Sequence, residues 1–402
     1  MRPSRIVHAS AVLPQEGPAI LDGAVVLGDA GGVVDVGRAG AVLPRHAGLP
    51  VEVVHGVLAP GLVNAHTHLE LSWMHGLVPG GGGFVGWVDR LVTLRSEESE
   101  SAVEAGLGVA LDALDASCTA GVGEVSNALA AEAALVARGL AGSVFHEVFG
   151  LLEGPLLERV TSMLASFRAP GDRLARAPAP HTLYTTHPSG VRALLSFARE
   201  RGLVTSIHMA EHPAERLAIE RAEGPVPGWF EERVRIPRAE QFFPREPLFD
   251  YAARLGVLGP DVLLVHMTDA RPDELARARD AGSKVVLCPR SNVHIEGRLP
   301  DAAAMLALGL EPALGTDSLA SAGSLDVLDD ARLLASTGIG AADALRMATW
   351  NGARALGRLH LGRIAAGARP GLVVAPGAPG ADPAASFLSA PERRWIPGTE
   401  PS

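Results

Sequence analysis

Eight short apolar runs, most of them followed by a stretch rich in Ala, Leu and Arg, set the strongest limit on how this chain folds. A strand followed by a helix, repeated about eight times, is typical of a (β/α)8 barrel, whose active site lies at the carboxyl ends of the strands. The predicted strands are the run that ends in His66-Thr67-His68 and the runs Thr119–Val125, Ser143–Phe149, Leu174–Pro180, Val204–Ile207, Val262–Val265, Lys284–Leu287 and Pro312–Leu314.

The two ends of the chain predict a second, smaller unit. Residues 1–56 contain short strand-like runs separated by Gly-rich turns, and similar runs return at Gly362–Gly367 and Gly371–Val374. We therefore expect an α/β protein in which a TIM barrel, residues 57–360, carries a small β-sandwich domain built from both termini, residues 1–56 and 361–402. Two unrelated tails are the alternative.

Composition limits the compartment and the partners. No uncharged run approaches the roughly 20 residues that cross a bilayer, and the N-terminus lacks the apolar segment of a secretory signal. Cys118 and Cys288 are far apart in sequence and suit a reducing cytoplasm. A net charge of -10 without a basic cluster argues against nucleic acid. The single lysine, Lys284, leaves little for Schiff-base chemistry.

Polar residues stand at the exits of four predicted strands. Residues i and i+2 of a strand point the same way, so His66 and His68 can bind one ion together. His208, His266 and Asp317 each close or follow another apolar run. Alone, each histidine reads as a buried core residue and the aspartate as a helix cap. Together they predict a shared metal site at the carboxyl ends of the strands.

The ligand types narrow the choice of metal. Three imidazoles and one carboxylate, from His66, His68, His208 and Asp317, suit Zn²⁺ or Fe²⁺ better than a thiolate metal. We expect one divalent ion, Zn²⁺ first, with Fe²⁺ or Mn²⁺ as alternatives. Such an ion lowers the pKa of a bound water to about 7. Glu211, three residues past His208, is interpreted as a proton shuttle above the metal; a surface glutamate is the alternative.

These motifs resemble the amidohydrolase superfamily, in its cytosine-deaminase-like branch, which includes the ATZ/TRZ hydrolases and the methylthioadenosine/S-adenosylhomocysteine deaminases. The matching segments follow one another along nearly the whole chain. They are Pro60–His68, Pro180–Tyr184, His208–Glu211, Leu264–His266, Cys288–Asn292 and Leu314–Ser318.

The resemblance implies a mononuclear metal on the four ligands and hydrolytic deamination of a heterocycle. His266 would hydrogen-bond and polarise the attacking hydroxide. Glu211 would protonate the ring nitrogen next to the attacked carbon, and Asp317 would pass the second proton to the departing ammonia. The product would be a ring carbonyl.

Three motifs look most like the aminodeoxyfutalosine deaminases of menaquinone biosynthesis, which act on a 6-aminopurine nucleoside that carries an aromatic carboxylate. The motifs are His68–Ser72, Cys288–Asn292 and Gly315–Ser321. The resemblance places Glu70 and Ser291 near the substrate. We expect a small heterocyclic substrate, no nucleic acid or membrane partner, and a homodimer.

Two further positions bear on the substrate. In the family, the residue that His181 matches contacts the purine base or its sugar. Methylthioadenosine-type enzymes place a ribose-binding glutamate after the tryptophan that Trp87 resembles, where this chain reads Leu94–Glu98. Arg95 within that segment could meet a substrate carboxylate, and the alternative is an arginine on a helix surface.

Three loops after the strands are expected to set specificity. They are Ser72–Glu98 with a hinge at Gly80–Gly83, Gly150–Gly154, and the insertion Pro213–Pro247. Four aromatic residues either wall the pocket or anchor this insertion: Trp229, Phe230, Phe242 and Phe243.

Three other functions compete with a nucleoside deaminase of this kind. The first is a methylthioadenosine/S-adenosylhomocysteine or guanine-type deaminase. The second is a chlorohydrolase or a cyclic-amide hydrolase such as an imidazolonepropionase, and Glu211 three residues after His208 favours C–N hydrolysis over it. The third is a non-catalytic protein on the same barrel, which would be expected to lack a ligand.

Overall fold

The computed structural model of the protein describes residues 1–168, 171 and 173–401. The strands are β1 (Pro3–Val12), β2 (Ile20–Gly28), β3 (Val33–Arg38), β4 (Val51–Pro60), β5 (Leu62–Thr67), β6 (Thr119–Ser126), β7 (Ala141–Val148), β8 (Leu174–Pro180), β9 (Thr205–Met209), β10 (Val262–His266), β11 (Lys284–Leu287), β12 (Ala313–Leu314), β13 (Leu372–Pro376) and β14 (Arg394–Trp395).

Helices separate most of these strands. They are α1 (Ala39–Arg45), α2 (Gly83–Arg95), α3 (Glu100–Ala116), α4 (Glu132–Ala137), α5 (Glu153–Ala165), α6 (Pro188–Glu200), α7 (Pro213–Arg221), α8 (Pro225–Glu232), α9 (Leu248–Leu255), α10 (Pro272–Asp280), α11 (Pro289–Glu296), α12 (Ala302–Ala307), α13 (Leu319–Ala322), α14 (Val327–Ser336), α15 (Ala341–Arg346), α16 (Gly352–Ala355) and α17 (Pro383–Ser389), with 3-10 turns at Leu69–Met74 and Arg238–Glu240 and a π-helical segment at Met347–Asn351.

The strands β5 to β12 form two four-stranded sheets, in the orders β5-β6-β7-β8 and β12-β11-β10-β9. Every neighbouring pair in them is parallel. Isolated parallel bridges link the two sheets at both junctions, Thr67 with Asp317 and Thr182 with His208. The predicted α/β class is confirmed, and each of the eight predicted runs forms a strand. Their carboxyl ends lie at one edge, where the site was expected.

One buried cluster joins the two parallel sheets. It includes Val63 of β5, Phe145 of β7, Val265 of β10 and Val286 of β11, each shielded completely from solvent. All five residues of β10 are buried. Near-continuous apolar runs are what strands need when both of their faces are covered. The polar residues at the strand exits are therefore held by a rigid apolar base.

Both ends of the chain enter one mixed sheet of six strands, in the order β14-β13-β4-β1-β2-β3. β13 pairs antiparallel with β4, from Leu372 beside Pro60 to Pro376 beside Gly56. One face packs on α1 through Ala24, Val26 and other apolar residues, and the opposite face forms a separate apolar cluster. The described strands at the termini form this single sheet, so a sandwich and the division at residue 57 stay predictions.

Two sequence-based expectations need correction. Gly362–Gly367 is irregular and not a strand. Its hydrogen bonds are scattered, since the Ile364 N–H donates to the Pro14 carbonyl and the Gly367 N–H to the Val33 carbonyl. The segments Ser72–Glu98 and Pro213–Pro247, predicted as loops, contain helices α2, α7 and α8.

Within residues 1–168, 171 and 173–401, no helix has both the length and the hydropathy that a bilayer span requires.

Candidate active site

Three strand ends deliver the predicted metal ligands to one point. His66 lies near the end of β5 and His68 just after it, while His208 belongs to β9 and Asp317 follows β12. The His68 Nε2 atom lies 3.2 Å from His208 Nε2 and 3.6 Å from Asp317 Oδ1. His66 Nε2 lies 4.0 Å from Asp317 Oδ1. Residues distant in sequence thus share one small site.

The donor set fits a divalent cation. His66 is completely buried, and neither of its ring nitrogens has a hydrogen-bond partner among the described residues. Burying polar atoms without partners costs free energy, which a bound ion would offset. Ligand atoms of His66, His68 and Asp317 lie within 4.8 Å of one another. The same holds for His66, His208 and His266. Imidazole nitrogens with one carboxylate are typical ligands of such ions.

Burial keeps these imidazoles in the neutral form. It lowers the pKa of His66 well below the ordinary value, and the neighbouring His68 and His208 lower it further. Burial also lowers the pKa of His68 to about 3, although Asp317 opposes this shift. Burial likewise lowers the pKa of His208. Neutral imidazole is the form that binds metal, so the site is prepared for an ion at neutral pH.

The ring of His208 is oriented by groups behind it. Its Nδ1 lies 3.0 Å from the main-chain oxygen of His181 and 3.5 Å from Glu147 Oε1. Both partners are acceptors, which places the ring proton on Nδ1 and leaves the Nε2 lone pair facing the other ligands. Contacts of this kind fix the tautomer of a ligating histidine.

Two serines orient Asp317. The Ser291 and Ser321 hydroxyls donate to Oδ2 at 2.5 Å and 3.0 Å, which leaves Oδ1 turned toward the histidines. Asp317 has a φ of 58°, a left-handed conformation that is uncommon outside glycine. Its backbone is held because its N–H donates to the His66 carbonyl at 3.1 Å. Ser291, predicted to contact substrate, is fully buried behind this carboxylate.

Glu211 and His266 face each other beside the ligands. Glu211 Oε1 lies 3.5 Å from His266 Nε2. The Asn292 amide donates to His266 Nδ1 at 3.2 Å, so the ring proton of His266 resides on Nε2 and points toward the site. Burial raises the pKa of Glu211 well above its ordinary value, and the Asp317 charge raises it further. A carboxyl with a raised pKa can both accept and return a proton near neutral pH.

A cavity of about 790 Å³ opens above these groups. Its floor is formed by His68, His208, His266, Asp317 and Glu211. The walls are mostly apolar and come from α2, α8 and the segment that follows β7. Pockets of this size with a few converging polar groups are typical of sites for small organic ligands.

Glu70 lines the cavity, but its carboxylate is occupied. It accepts hydrogen bonds from the Ser126 hydroxyl and from the backbone N–H groups of Asn127, Ala128 and Ala130, the last three at 3.0 to 3.1 Å. These bonds tie the turn after β6 to the start of the cavity wall. A direct contact between Glu70 and a substrate stays a prediction.

A polar chain crosses one wall of the cavity. The Arg95 Nη1 donates to Asn127 Oδ1 at 3.2 Å, and the Asn127 Nδ2 donates to Glu147 Oε2 at 3.1 Å. His181 borders the same wall, and burial lowers its pKa to about 4, with Arg95 adding to the effect. Sequence reasoning missed Asn127 and Glu147. Both stand at strand exits, which is the same signal that predicted the metal ligands.

The outer wall joins α2 to the insertion. Asp89 Oδ1 accepts from Trp229 Nε1 and from Arg233 Nε, each at 3.0 Å. Phe84, at the start of α2, stacks on His212 with ring centroids 3.7 Å apart. The predicted hinge at Gly80–Gly83 precedes this contact. Two helices that are far apart in sequence therefore cover the cavity together.

The four aromatic residues of the insertion divide between the two predicted roles. Trp229 and Phe230 line the cavity. Phe243 stacks behind Phe230 with ring centroids 6.2 Å apart, and Phe242 lies 6.4 Å from the Tyr251 ring. The first pair walls the cavity and the second pair anchors the insertion.

Known proteins resemble this chain over most of its length. The profile of the amidohydrolase family matches residues 57–397. An aminodeoxyfutalosine deaminase of Deinococcus radiodurans is 34% identical over 326 residues, covering 75% of this chain and 74% of that protein. A 5-methylthioadenosine/S-adenosylhomocysteine deaminase of Halobacterium salinarum is 28% identical over 372 residues, covering 88% and 80%.

A solved structure agrees with the fold. The crystal structure of Helicobacter pylori aminofutalosine deaminase in complex with methylthio-coformycin matches with a TM-score of 0.86 at 24% identity, covering 99% of each chain. The family resemblance inferred from the motifs is confirmed. The chain belongs to the amidohydrolase family and is a hydrolytic enzyme.

Proposed function

We propose that the protein is a metal-dependent hydrolytic deaminase of a 6-aminopurine nucleoside, with aminodeoxyfutalosine as the first candidate substrate. The observation that carries this proposal is the arrangement at the cavity floor. There the predicted ligands converge beside the buried Glu211, whose carboxylate stands 3.5 Å from His266 Nε2. Hydrolysis of a C–N bond on a ring needs a water nucleophile and a group that moves protons to the ring and to the leaving amine.

The ion would be held by His66, His68, His208 and Asp317. Zn²⁺ suits a ligand set of three imidazoles and a carboxylate. When bound, such an ion makes water a better nucleophile at neutral pH by lowering its pKa to about 7. The chain supplies the rest. Burial of the ligands excludes bulk water and keeps the imidazoles neutral. Fe²⁺ and Mn²⁺ are the alternatives for the same ligands.

Proton transfers are assigned to Glu211 and Asp317, and a hydrogen bond to the attacking water is assigned to His266. Glu211 takes a proton from the attacking water and gives it to the ring nitrogen beside the attacked carbon. His266 donates its Nε2 proton in a hydrogen bond to the oxygen of that water. The Asp317 carboxylate receives the second water proton and delivers it to the departing amine. Ammonia leaves, and the ring carbon becomes a carbonyl.

The choice of substrate rests on the cavity wall and on the relatives. The named activity of the Deinococcus radiodurans relative is aminodeoxyfutalosine deamination. Arg95 borders the cavity and offers a guanidinium to a substrate carboxylate. His181 lies on the same wall, 5.0 Å in ring-centroid distance from His208, where it can contact the base or its sugar. A volume of about 790 Å³ accommodates a nucleoside with an additional aromatic acid.

A methylthioadenosine or S-adenosylhomocysteine deaminase is the second candidate. It is favoured by the Halobacterium salinarum relative, which covers more of this chain at lower identity. The apolar outer wall from α2 and α8 would suit a thioether as well as an aromatic ring.

The proposal also covers the fold, the cellular location and the oligomeric state. The parallel bridges Thr67–Asp317 and Thr182–His208 support one (β/α)8 barrel made of both four-stranded sheets. The buried thiols of Cys118 and Cys288 support a reducing, cytoplasmic location. A homodimer remains part of the proposal from the sequence.

The deciding experiment is an ammonia-release assay with purified, Zn²⁺-loaded protein. The panel contains aminodeoxyfutalosine, methylthioadenosine, S-adenosylhomocysteine, adenosine, 2-aminopurine nucleosides, guanine and cytosine. We expect the highest kcat/KM for aminodeoxyfutalosine and loss of turnover after chelation, restored by Zn²⁺. Turnover of pyrimidines or triazines alone would overturn the nucleoside assignment, and release of chloride or ring opening without ammonia would overturn deamination.

A further inference from the structure

Glu215 reaches out of its own helix to the loop that carries Glu211. It lies in the first turn of α7, is only 1% exposed, and accepts the backbone N–H of Glu211 on Oε2 at 2.9 Å. One buried side chain therefore holds the peptide group of Glu211 in the loop.

This arrangement differs from ordinary helix capping. In a capping box, the glutamate of the first turn accepts the N–H of the residue that caps the helix. The helix α10 does this, since the Glu274 carboxylate accepts the N–H of Arg271 at 2.8 Å. In α7 the capping residue is His212, yet the glutamate bonds the residue before it. The bond holds the loop that carries Glu211 and does not cap helix α7.

The loop itself needs external support. Ala210 has a φ of 50°, a left-handed conformation that a residue with a side chain adopts at a cost. The N–H of Asp269 donates to the Ala210 carbonyl at 2.7 Å. Conformations of this type persist where surrounding contacts impose them. Glu215 supplies one of these contacts, through the Glu211 N–H.

Stability alone gives little reason for this carboxylate. Its second oxygen, Oε1, is buried and has no hydrogen-bond partner among the described residues. A buried and half-paired carboxylate is costly, because its other oxygen has lost water without replacement. A side chain of this type fits a site where geometry matters more than stability.

We propose that Glu215 is a positioning residue, which fixes the Ala210–Glu211 backbone so that the Glu211 carboxylate stands beside His266. This inference rests on the proposed function, in which Glu211 moves protons. Glu215 does not line the cavity and acts only through Glu211. Removing it should therefore slow the chemical step while leaving substrate binding and the metal nearly intact.

The test compares Glu215→Ala with Glu215→Gln. A misplacement of a catalytic group by about 1 Å can cost about 100-fold in rate, so we expect Glu215→Ala to lower kcat by roughly 10- to 100-fold. KM and the metal content per chain should stay close to wild type. Glu215→Gln keeps an oxygen that accepts the Glu211 N–H, and we expect it to restore kcat to within about 3-fold of wild type, because the acceptor is retained.

Asp382→Ala is the control, since it removes a carboxylate that caps another helix, α17, by accepting the N–H groups of Ala384 and Ala385. It should keep its kcat per metal-loaded site. The inference is overturned if Glu215→Ala keeps its kcat, if it raises KM alone, or if Glu215→Gln is as slow as Glu215→Ala. Failure of the proposed function is recognised separately, because wild-type protein would then release no ammonia from any aminopurine nucleoside.

Discussion

The floor and the outer wall of the cavity are built in different ways. The floor consists of residues at strand exits, such as His208 and Asp317, which are buried and backed by the apolar cluster of the parallel sheets. The outer wall consists of α2 and α8, joined through Asp89 and Arg233, whose side chains are 45% and 43% exposed. Rigid strands thus hold the groups assigned to chemistry, while partly solvated contacts between helices close the substrate space.

This difference teaches where reactivity and selectivity reside. Changes at the floor should alter kcat for every substrate, because all substrates use the same proton transfers. Changes in the wall should alter KM, or the ranking of substrates, because they affect only the parts of the ligand that do not react. Four predictions follow this division, from the largest effect to the smallest.

Glu211→Gln should be the most damaging change that leaves the fold intact. The amide cannot carry a proton between water and ring nitrogen, so we expect kcat to fall about 1,000-fold, within the range of general acid–base catalysis. Metal content, measured by atomic absorption, should stay at the wild-type level. Glu223→Gln, at an exposed glutamate after α7, is the control. Near-normal turnover of Glu211→Gln would remove Glu211 from the mechanism.

Arg95→Met should change selectivity. Hydrogen bonds to charged groups are worth about 1.5 to 3 kcal/mol, so kcat/KM for a carboxylate-bearing nucleoside should fall roughly 10- to 100-fold. The value for methylthioadenosine, which has no carboxylate, should change much less. Arg90→Met, on the exposed part of α2, should affect neither substrate. Equal losses on both substrates would show that Arg95 acts through Asn127 on the wall and not on the carboxylate.

His212 follows Glu211 of the floor and stacks on Phe84 of the wall. Its burial should make the free energy of unfolding depend on pH in acid. Burial lowers the pKa of His212 to about 3, and His266 lowers it further. Because the unfolded state binds this proton more readily, the free energy of unfolding should fall as pH drops below about 6.5. His212→Gln should remove roughly 2 kcal/mol of the loss between pH 7 and pH 5.

Urea unfolding of apo-protein at both pH values measures this effect, with the exposed His75→Gln as the baseline. An unchanged loss of stability in His212→Gln would mean that His212 is not protonated preferentially on unfolding.

Asp89→Asn should have the smallest effect. It weakens the contacts of Asp89 with Trp229 and Arg233, which are partly exposed. Pairs of this type are worth up to about 1 kcal/mol, so KM should rise about 2- to 5-fold with little change in kcat. Asp112→Asn, which breaks an exposed pair with Arg138 on the outside, is the control. A drop in kcat would place the wall in the chemical step.

The sequence predicted the floor because strands carry their own geometry. Alternation on β5 places His66 and His68 on one side, and the apolar runs before His208 and Asp317 mark strand exits that must meet at one edge. These features are local, so one sequence was enough to find them.

The cavity wall and the contacts that support the Glu211 loop were harder to predict from the sequence. The Asn127–Glu147 contact and the reach of Glu215 to the Glu211 backbone depend on distances between separate segments, which no local pattern encodes. The same limit explains the error at Gly362–Gly367. Alternating small and apolar residues there resemble a strand. The Ile364 N–H donates to Pro14, outside any strand, and the Gly367 N–H donates to Val33 at the start of β3, so the segment forms no continuous ladder with one strand.

The pairing of β13 with β4 has a consequence for how the chain is made. β4 leads directly into β5, so translation delivers one edge of the terminal sheet long before Leu372–Pro376 leaves the ribosome. Until then that edge is unpaired and can recruit a wrong strand, including one from a neighbouring nascent chain. β13 therefore covers this edge, and a protein truncated before β13 should precipitate even though all of its proposed catalytic groups have been synthesised.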